Sequence, residues 1–229
     1  MDSPNPSVVT YPAEDGVPLG ETADHSNAAD DFLDQVAELF DGRDDVAIEA
    51  NRFVYWVEGD PAECVNPDVF VCIGRPPVSR DVWKTWEEGD RFADLVVEFS
   101  SKSTRTNDLG NKKATYEMLG VREYVIFDPR REWVKEGLRA WRLVDGEFRP
   151  VALQDGRLWL GTLGAHLALE GKRVRIVRAD GVAMLHPEER RARLAQAEAA
   201  KAQAEAAKAA MEAENAALRA RIAELERRR

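Results

Sequence analysis

The chain has 229 residues, of which 44% are hydrophobic and 32% are charged, and its formal net charge is −10. This length suits one core domain of roughly 150–190 residues with an appendage. Residues 187–229 carry a charge of +2, which leaves −12 on the remainder. A chain that acidic has no global attraction for nucleic acid, because non-specific DNA binders usually carry a basic stripe.

Metal-binding and membrane signals are few. Cys64 and Cys72 form no CxxC pair and the three histidines are scattered, which argues against a structural zinc site. No apolar run approaches the roughly 20 residues of a membrane span, and Met1-Asp2 opens no signal peptide. We therefore expect a cytoplasmic protein with no membrane partner.

The first half of the chain predicts an arm, a helix and two strands. Residues 1–21 are rich in Pro, Gly, Asp and Ser and predict an irregular arm. Apolar residues in 22–41 recur at helical spacing. Segments 46–59 and 66–74 have the Val, Ile and aromatic density of strands. Segment 75–92 predicts a long hairpin connection or a lid.

A buried strand, a helix and a further strand follow. ADLVVEFS (93–100) is almost continuously apolar, as expected for a strand covered on both faces. Residues 106–119 predict a helix that Asn107 or Asp108 can cap. REYVIFDP (122–129) predicts the next strand.

The remaining strand signals are short and separated by Gly turns, which predicts a β meander. They lie at 138–144, 147–153, 157–160 and 173–178. The whole order indicates an α/β fold with a mixed sheet flanked by helices. We assign this domain to residues 22–186.

Residues 187–229 carry a heptad repeat that predicts a coiled coil. Position a holds Leu194, Lys201, Lys208, Asn215 and Ile222. Position d holds Ala197, Ala204, Met211, Leu218 and Leu225. The isolated Asn at a and Leu at d favour a parallel two-stranded coil, and hence a homodimer. The charged g–e′ pairs are all opposite in sign: Arg193–Glu198, Glu214–Arg219 and Arg221–Glu226. The alternative is a solvated single helix, since Ala, Glu and Lys favour helix in any context.

Two carboxylates fall at matching points of neighbouring predicted strands. Period-two alternation puts Asp68 on one face of NPDVFVCI, and it puts Asp94 and Glu98 on one face of ADLVVEFS. If the strands pair antiparallel, Asp68 faces Glu98. Two buried carboxylates repel unless a cation joins them, and Mg²⁺ binds through one or two carboxylates while keeping waters. The alternative is structural: Asp68 accepts backbone N–H bonds and Glu98 pairs with Lys112 or Lys113.

The ordered series NPDVFV (66–71), WEEG (86–89) and ADLVVEFSSKSTRTNDLGNKKATYEMLGVREYVIFDP resembles the Uma2 family. That family belongs to the restriction-endonuclease-like group of the PD-(D/E)xK nuclease superfamily. The resemblance covers roughly residues 15–180. It implies a restriction-endonuclease-like fold and hydrolysis of DNA phosphodiester bonds with Mg²⁺ or Mn²⁺.

The resemblance also assigns roles to individual residues. Asp68 matches the Asp of the PD element and Glu98 the acid of the (D/E)xK element. The superfamily lysine is missing, because Ser100 stands two residues after Glu98. DLGNKKATY (108–116) fits a D-x-G-x-K-x-x-x-Y pattern that selects Lys112 as its replacement, to orient the attacking water. The competing interpretation makes Asp108 and Lys112 an ordinary i,i+4 pair on the helix.

Polar residues around these three could contact phosphate, and they are Ser100, Lys102, Thr104 and Lys113. Two further functions stay open at this point. One is a non-catalytic scaffold that keeps the nuclease fold and assembles through its coiled coil, which would suit the acidic surface. The other is a metal-dependent hydrolase of a different phosphoester.

Overall fold

The computed structural model describes residues 9–13, 23–100 and 104–228, except for the side chains of residues 23–26. The strands are β1 (Val46–Ala50), β2 (Val54–Tyr55), β3 (Cys64–Val65), β4 (Val69–Ile73), β5 (Trp83–Lys84), β6 (Leu95–Phe99), β7 (Glu123–Phe127), β8 (Leu138–Val144), β9 (Glu147–Val151), β10 (Arg157–Leu160), β11 (Ala165–Glu170) and β12 (Arg173–Arg178). The helices are α1 (Ala23–Leu39), α2 (Arg105–Asn107), a π-helical turn (Asp108–Lys112), α3 (Lys113–Met118) and α4 (Pro187–Arg227), and a 3₁₀ turn covers Thr85–Glu88.

A six-stranded mixed sheet organises the fold, in the order β1-β4-β6-β7-β8-β9. Strands β6 and β7 are parallel, and the other neighbouring pairs are antiparallel. A parallel pair needs a crossover connection. Here the continuous helical segment 105–118 supplies it, and we call this segment the site helix. The predicted α/β architecture with a mixed sheet is confirmed.

The two faces of this sheet are covered differently. Strand alternation sends Leu95, Val97 and Phe99 of β6 to one face, where they share a buried cluster with α1 and with the separate sheet β10-β11-β12. Val96 faces the other way, into a cluster with the site helix and the small sheet β3-β2-β5. Glu98 alternates with Val97 and therefore faces the site helix.

Several predicted element bounds need correction. Segment 46–59 is not one strand, because the chain turns at Asn51, whose φ of 49° is left-handed, and β1 and β2 then join different sheets. Segment 75–92 does connect antiparallel strands, but it is not a lid. Its Trp83 lies in β5, is fully buried and donates its indole N–H to the Arg91 carbonyl at 3.0 Å.

The predicted meander is divided between two sheets. Strands β8 and β9 extend the central sheet, whereas β10, β11 and β12 form a sheet of their own. Strand β11 was missed in the sequence. Its segment AHLALE buries only Ala165 and Leu167, so it presents little apolar surface. The alternation is real but weak.

By the spacing of Cα atoms the chain divides into two compact units, Met1–Met184 and Leu185–Arg229. In the second unit α4 is a single helix with Pro187 in its first turn. The His186 N–H donates to Glu189 Oε2 at 2.9 Å, which completes a capping box. None of the described helices combines the length and the hydrophobicity needed to cross a membrane.

Candidate functional site

The structure brings Asp68 and Glu98 side by side on the central sheet. Strands β4 and β6 are antiparallel with Val69 opposite Val97, so the register extended by one residue sets Asp68 opposite Glu98. Asp68 Oδ2 accepts the Phe99 N–H at 2.7 Å. This bond fixes the carboxylate against the end of β6, and Asp68 remains half-buried while Glu98 is 1% exposed.

The site helix adds three side chains to this pair through an uncommon backbone geometry. A step of four residues rotates by slightly more than one full turn in an α-helix, which has 3.6 residues per turn. In the wider π-helix, with its i→i+5 hydrogen bonds, the same step rotates by slightly less than one full turn. The rotation about the helix axis between Asp108 and Lys112 in the π turn is therefore opposite in direction to the rotation between Lys112 and Tyr116 in α3. The three residues consequently stay on the face that covers Glu98.

Glu98 is held by two of them. Lys112 Nζ donates to Oε2 at 2.7 Å and the Tyr116 hydroxyl donates to Oε1 at 2.5 Å. Burial raises the pKa of Glu98 to about 8; the nearby charges of Asp68 and Asp108 act in the same direction, and Lys112 opposes them. Glu98 is thus poised to change protonation near neutral pH.

Asp108 is the residue whose importance sequence reasoning missed. It is 1% exposed, and neither carboxylate oxygen has a hydrogen-bond partner in the structure. Lys112 Nζ lies 3.7 Å from Oδ1. Burial raises the pKa of Asp108; the Thr104 and Ser100 hydroxyls favour its charged form, although neither has the geometry of a full hydrogen bond. The helix begins at Arg105, so Asp108 does not cap it as predicted.

Lys112 is the cation of the cluster. Burial alone would lower the pKa of its ammonium group, but Glu98, Asp68 and Asp108 together raise it above its usual value. Lys112 therefore stays protonated and acts as a hydrogen-bond donor, not as a base. Three carboxylates share this single lysine, which leaves excess negative charge when all three are ionised.

Tyr116 and Tyr124 donate hydrogen bonds to the residues of the site. Tyr116 is fully buried. Tyr124 donates its hydroxyl to the Asp108 carbonyl at 2.8 Å and so supports the π turn. Burial raises the pKa of both phenols well above the usual range, so both remain neutral donors.

The other predicted phosphate contacts are placed unevenly. Ser100 is buried beside Asp108, and Thr104 lines a cavity of about 340 Å³ together with Asp68 and Lys112. Lys113 lies elsewhere: its Nζ is 5.5 Å from the centre of the Trp141 ring and is paired with Glu117. Lys102 lies outside the described residues.

The donor set fits a hard divalent cation bound through one or two carboxylates, as Mg²⁺ is usually held. Asp68 and Glu98 are adjacent, and the Asp108 oxygens, which accept no full hydrogen bond among the described residues, leave further acceptor capacity nearby. Within the described ranges, no three His, Cys, Asp or Glu side chains are arranged as a ready-made metal cage. Water would complete the coordination of such an ion.

Comparison with known proteins gives the family. A sequence model of the Uma2 family, described as "Putative restriction endonuclease", matches residues 16–174. The chain belongs to the Uma2 family. This match spans the central sheet and the site helix, and the family description points to a nuclease.

A solved structure is similar at greater distance. It is described as a "putative nuclease belonging to DUF820" from Anabaena variabilis ATCC 29413, with 12% identity and a TM-score of 0.47. The alignment covers 62% of this chain and 75% of that chain. No curated protein matches the chain significantly.

Proposed function

We propose that the protein is an endonuclease that hydrolyses DNA phosphodiester bonds with Mg²⁺ or Mn²⁺. The observation that carries the proposal is the buried cluster of Asp68, Glu98 and Asp108 around Lys112, which opens into a cavity. A structural cluster would be expected to satisfy its carboxylates. Among the residues that the structure describes, neither oxygen of Asp108 accepts a full hydrogen bond, and its nearest cation is Lys112 at 3.7 Å.

Each residue has a chemical task in the proposed reaction. Asp68 and Glu98 would hold the metal ion, which when bound would lower the pKa of water and offset charge on the phosphate. Protonated Lys112 donates hydrogen bonds, so it can orient the attacking water or stabilise charge that develops on a phosphate oxygen. Tyr116 fixes the rotamer of Glu98 through its 2.5 Å hydrogen bond.

A nuclease assay tests this proposal. Supercoiled, linear and single-stranded DNA are incubated with the wild type, Glu98→Gln and Asp68→Asn in Mg²⁺ or Mn²⁺. We expect the wild type to cut and each variant to lose at least about a hundredfold in rate. Cutting that is equal in all three proteins, or absent from the wild type on every DNA form, would exclude the mechanism.

A non-catalytic scaffold is the second candidate function. It is favoured by the two satisfied contacts at the site, since Asp68 accepts a backbone N–H and Glu98 is paired with Lys112. It is also favoured by the acidic charge of residues 1–186. Calorimetry with Mn²⁺ distinguishes the candidates: heat of binding that disappears in Asp68→Asn supports the nuclease, and no heat in the wild type supports the scaffold.

We further propose that α4 pairs with a second copy in a parallel coiled coil. No residue of the helix from Pro187 to Arg227 is buried, and its large apolar residues at the a and d positions are exposed. They are Leu194, Met211, Leu218, Ile222 and Leu225. Burying this seam and pairing the complementary e and g charges would stabilise the dimer.

Sedimentation of the full chain tests the pairing. We expect a dimer for the wild type and a monomer for the double variant Leu218→Asp/Leu225→Asp, because a charge at d has no place in a dimer seam. The matched control Ala213→Asp, at an outer heptad position, should remain dimeric. A wild-type monomer would rule out the coil.

A further inference from the structure

The cavity beside Asp68 and Lys112 has walls of a particular chemistry. Its lining includes four asparagines, Asn51, Asn66, Asn107 and Asn111, whereas Asp68 and Lys112 are its only charged residues among those the structure describes. Phosphate backbones are bound mainly through positive charge. Amides instead offer a donor and an acceptor together, which is the combination that reads the edge of a nucleobase.

These amides are available to a ligand. Within the described part of the chain, none of the four side chains forms a hydrogen bond, and Asn66 Oδ1 is buried without a partner. An unmade hydrogen bond at a buried acceptor is unfavourable, because the group has lost its contact with water. Rotation of the Asn66 side chain toward the cavity would bring that oxygen to a ring N–H or exocyclic amine of a ligand there.

The backbone around the cavity ties it to the reactive cluster. Asn51 has a left-handed φ of 49° and donates its N–H to the Asp68 carbonyl at 3.0 Å. Asn107 and Asn111 belong to the site helix and flank Asp108 in sequence. Phe53 adds an aromatic surface to the lining, and aromatic rings are platforms on which bases stack.

The size of the cavity limits what can enter. About 340 Å³ is at the lower end of the roughly 300–1,000 Å³ of small-molecule pockets. It accommodates one base and no part of a stacked double helix. A base must therefore leave its stack to reach the amides, as it does in enzymes that extrude a nucleotide or act on single strands.

We propose that this cavity receives one unstacked base of the DNA strand, so that the protein acts on single-stranded or locally unpaired DNA. The inference rests on the proposed nuclease function and specifies its substrate class. The Asn66 and Asn107 amides contact the base edge, Phe53 stacks on it, and the adjoining phosphate lies at Lys112.

Cys64 provides a readout that needs no catalysis. It is partly exposed and lines the cavity, whereas the only other cysteine, Cys72, is buried and serves as an internal reference. The full chain is treated with a thiol alkylating reagent in EDTA, which prevents metal-dependent cutting. The rate of Cys64 modification is followed by mass spectrometry, with and without a single-stranded oligonucleotide.

The decisive comparison uses an oligonucleotide of equal length built from abasic sites, which keeps every phosphate and removes every base. We expect the normal strand to slow Cys64 alkylation at least fivefold and the abasic strand to have little effect. A duplex with one unpaired base should protect and a fully paired duplex should not. Equal protection by the abasic strand, or no protection by the normal strand, would overturn the inference.

Variants separate this inference from the nuclease assignment. Asn66→Ala/Asn107→Ala should lose protection, whereas Asn27→Ala, an exposed residue of α1, should keep it. If wild-type protein cuts DNA in Mn²⁺ while Cys64 is never protected, the nuclease stands and base binding fails. If Cys64 is protected only by strands that contain bases and no DNA is cut, base binding stands and the nuclease assignment fails.

Discussion

Strand β6 has a buried carboxylate at each end, and the two are held in opposite ways. Before the strand, Asp94 accepts the Ile73 N–H at 2.6 Å and the guanidinium groups of Arg91 and Arg122 at 3.2 and 3.1 Å. Near the other end, Glu98 receives one lysine, which it shares with further carboxylates, and one tyrosine hydroxyl.

Strand β7 and the site helix show the same difference between a carboxylate with many donors and one with few. At the beginning of β7, Glu123 accepts the Gly161 and Thr162 N–H groups at 2.9 and 2.8 Å and Arg142 at 2.8 Å. These bonds tie the central sheet to the segment after β10. Asp108, which lies over the opposite end of the sheet, has no hydrogen bond to its carboxylate in the structure.

The comparison teaches how to distinguish two uses of a buried acid. A carboxylate supplied with enough donors has its charge compensated and contributes to stability. Carboxylates that compete for one cation retain acceptor capacity and shifted pKa values, which are features of reactive sites. Both kinds occur on one strand here, so burial alone does not identify the functional acid.

The largest expected effect concerns the lysine at the under-satisfied end. Lys112→Met should reduce DNA cleavage by about 10²–10³-fold, because it removes the only cation beside Glu98 and Asp108 in the described site. Lys113→Met is the matched control. Its ammonium group lies over Trp141, so its cleavage rate should stay near that of the wild type. Equal losses in the two variants would contradict the selection of Lys112.

A second prediction compares stability at the two ends. Glu123→Gln should lower the free energy of unfolding by about 2–4 kcal/mol, because Gln cannot accept from Arg142 and both backbone N–H groups at once. Glu98→Gln should not lower it at pH 7, because the folded wild type must take up a proton at Glu98 that the unfolded chain lacks, whereas Gln needs none.

Urea unfolding measures both changes, and cleavage per folded molecule should follow the reverse order. Glu123→Gln should retain activity when corrected for folded fraction, whereas Glu98→Gln should lose it. A large loss of stability in Glu98→Gln with little loss in Glu123→Gln would invert the proposed division between the two ends.

The third prediction is a pH dependence at Glu98. Its pKa is about 8 in the folded chain against 4.5 in the absence of burial, so the folded state binds more protons between these values. The unfolding free energy of the wild type should therefore fall relative to Glu98→Gln as pH rises through this window. The slope is at most about 1.4 kcal/mol per pH unit for one proton. Urea titrations at several pH values check it, and parallel profiles for the two proteins would contradict it.

The sequence predicted much of the central architecture because its signals are local. The apolar run of β6 and the alternation around Asp68 and Glu98 follow from the period-two geometry of strands. The same alternation did not show where the strand after Ala50 ends. That boundary depends on the left-handed turn at Asn51. Asn adopts this conformation more readily than most residues, but its presence in the sequence does not by itself predict the turn.

What the sequence predicted by itself is that Asp68 faces Glu98 if their strands pair antiparallel, that a helix covers residues 106–119, and that residues 187–229 carry heptads. Only the tertiary structure decided that Asp108 joins the cluster. A helix read at 3.6 residues per turn makes Asp108 a cap or a partner of Lys112, whereas within the described residues the π turn and the burial by the sheet leave its carboxylate with no full hydrogen bond. Periodicity specifies which residues share a face, and the satisfaction of buried charge is settled by the packing of distant segments.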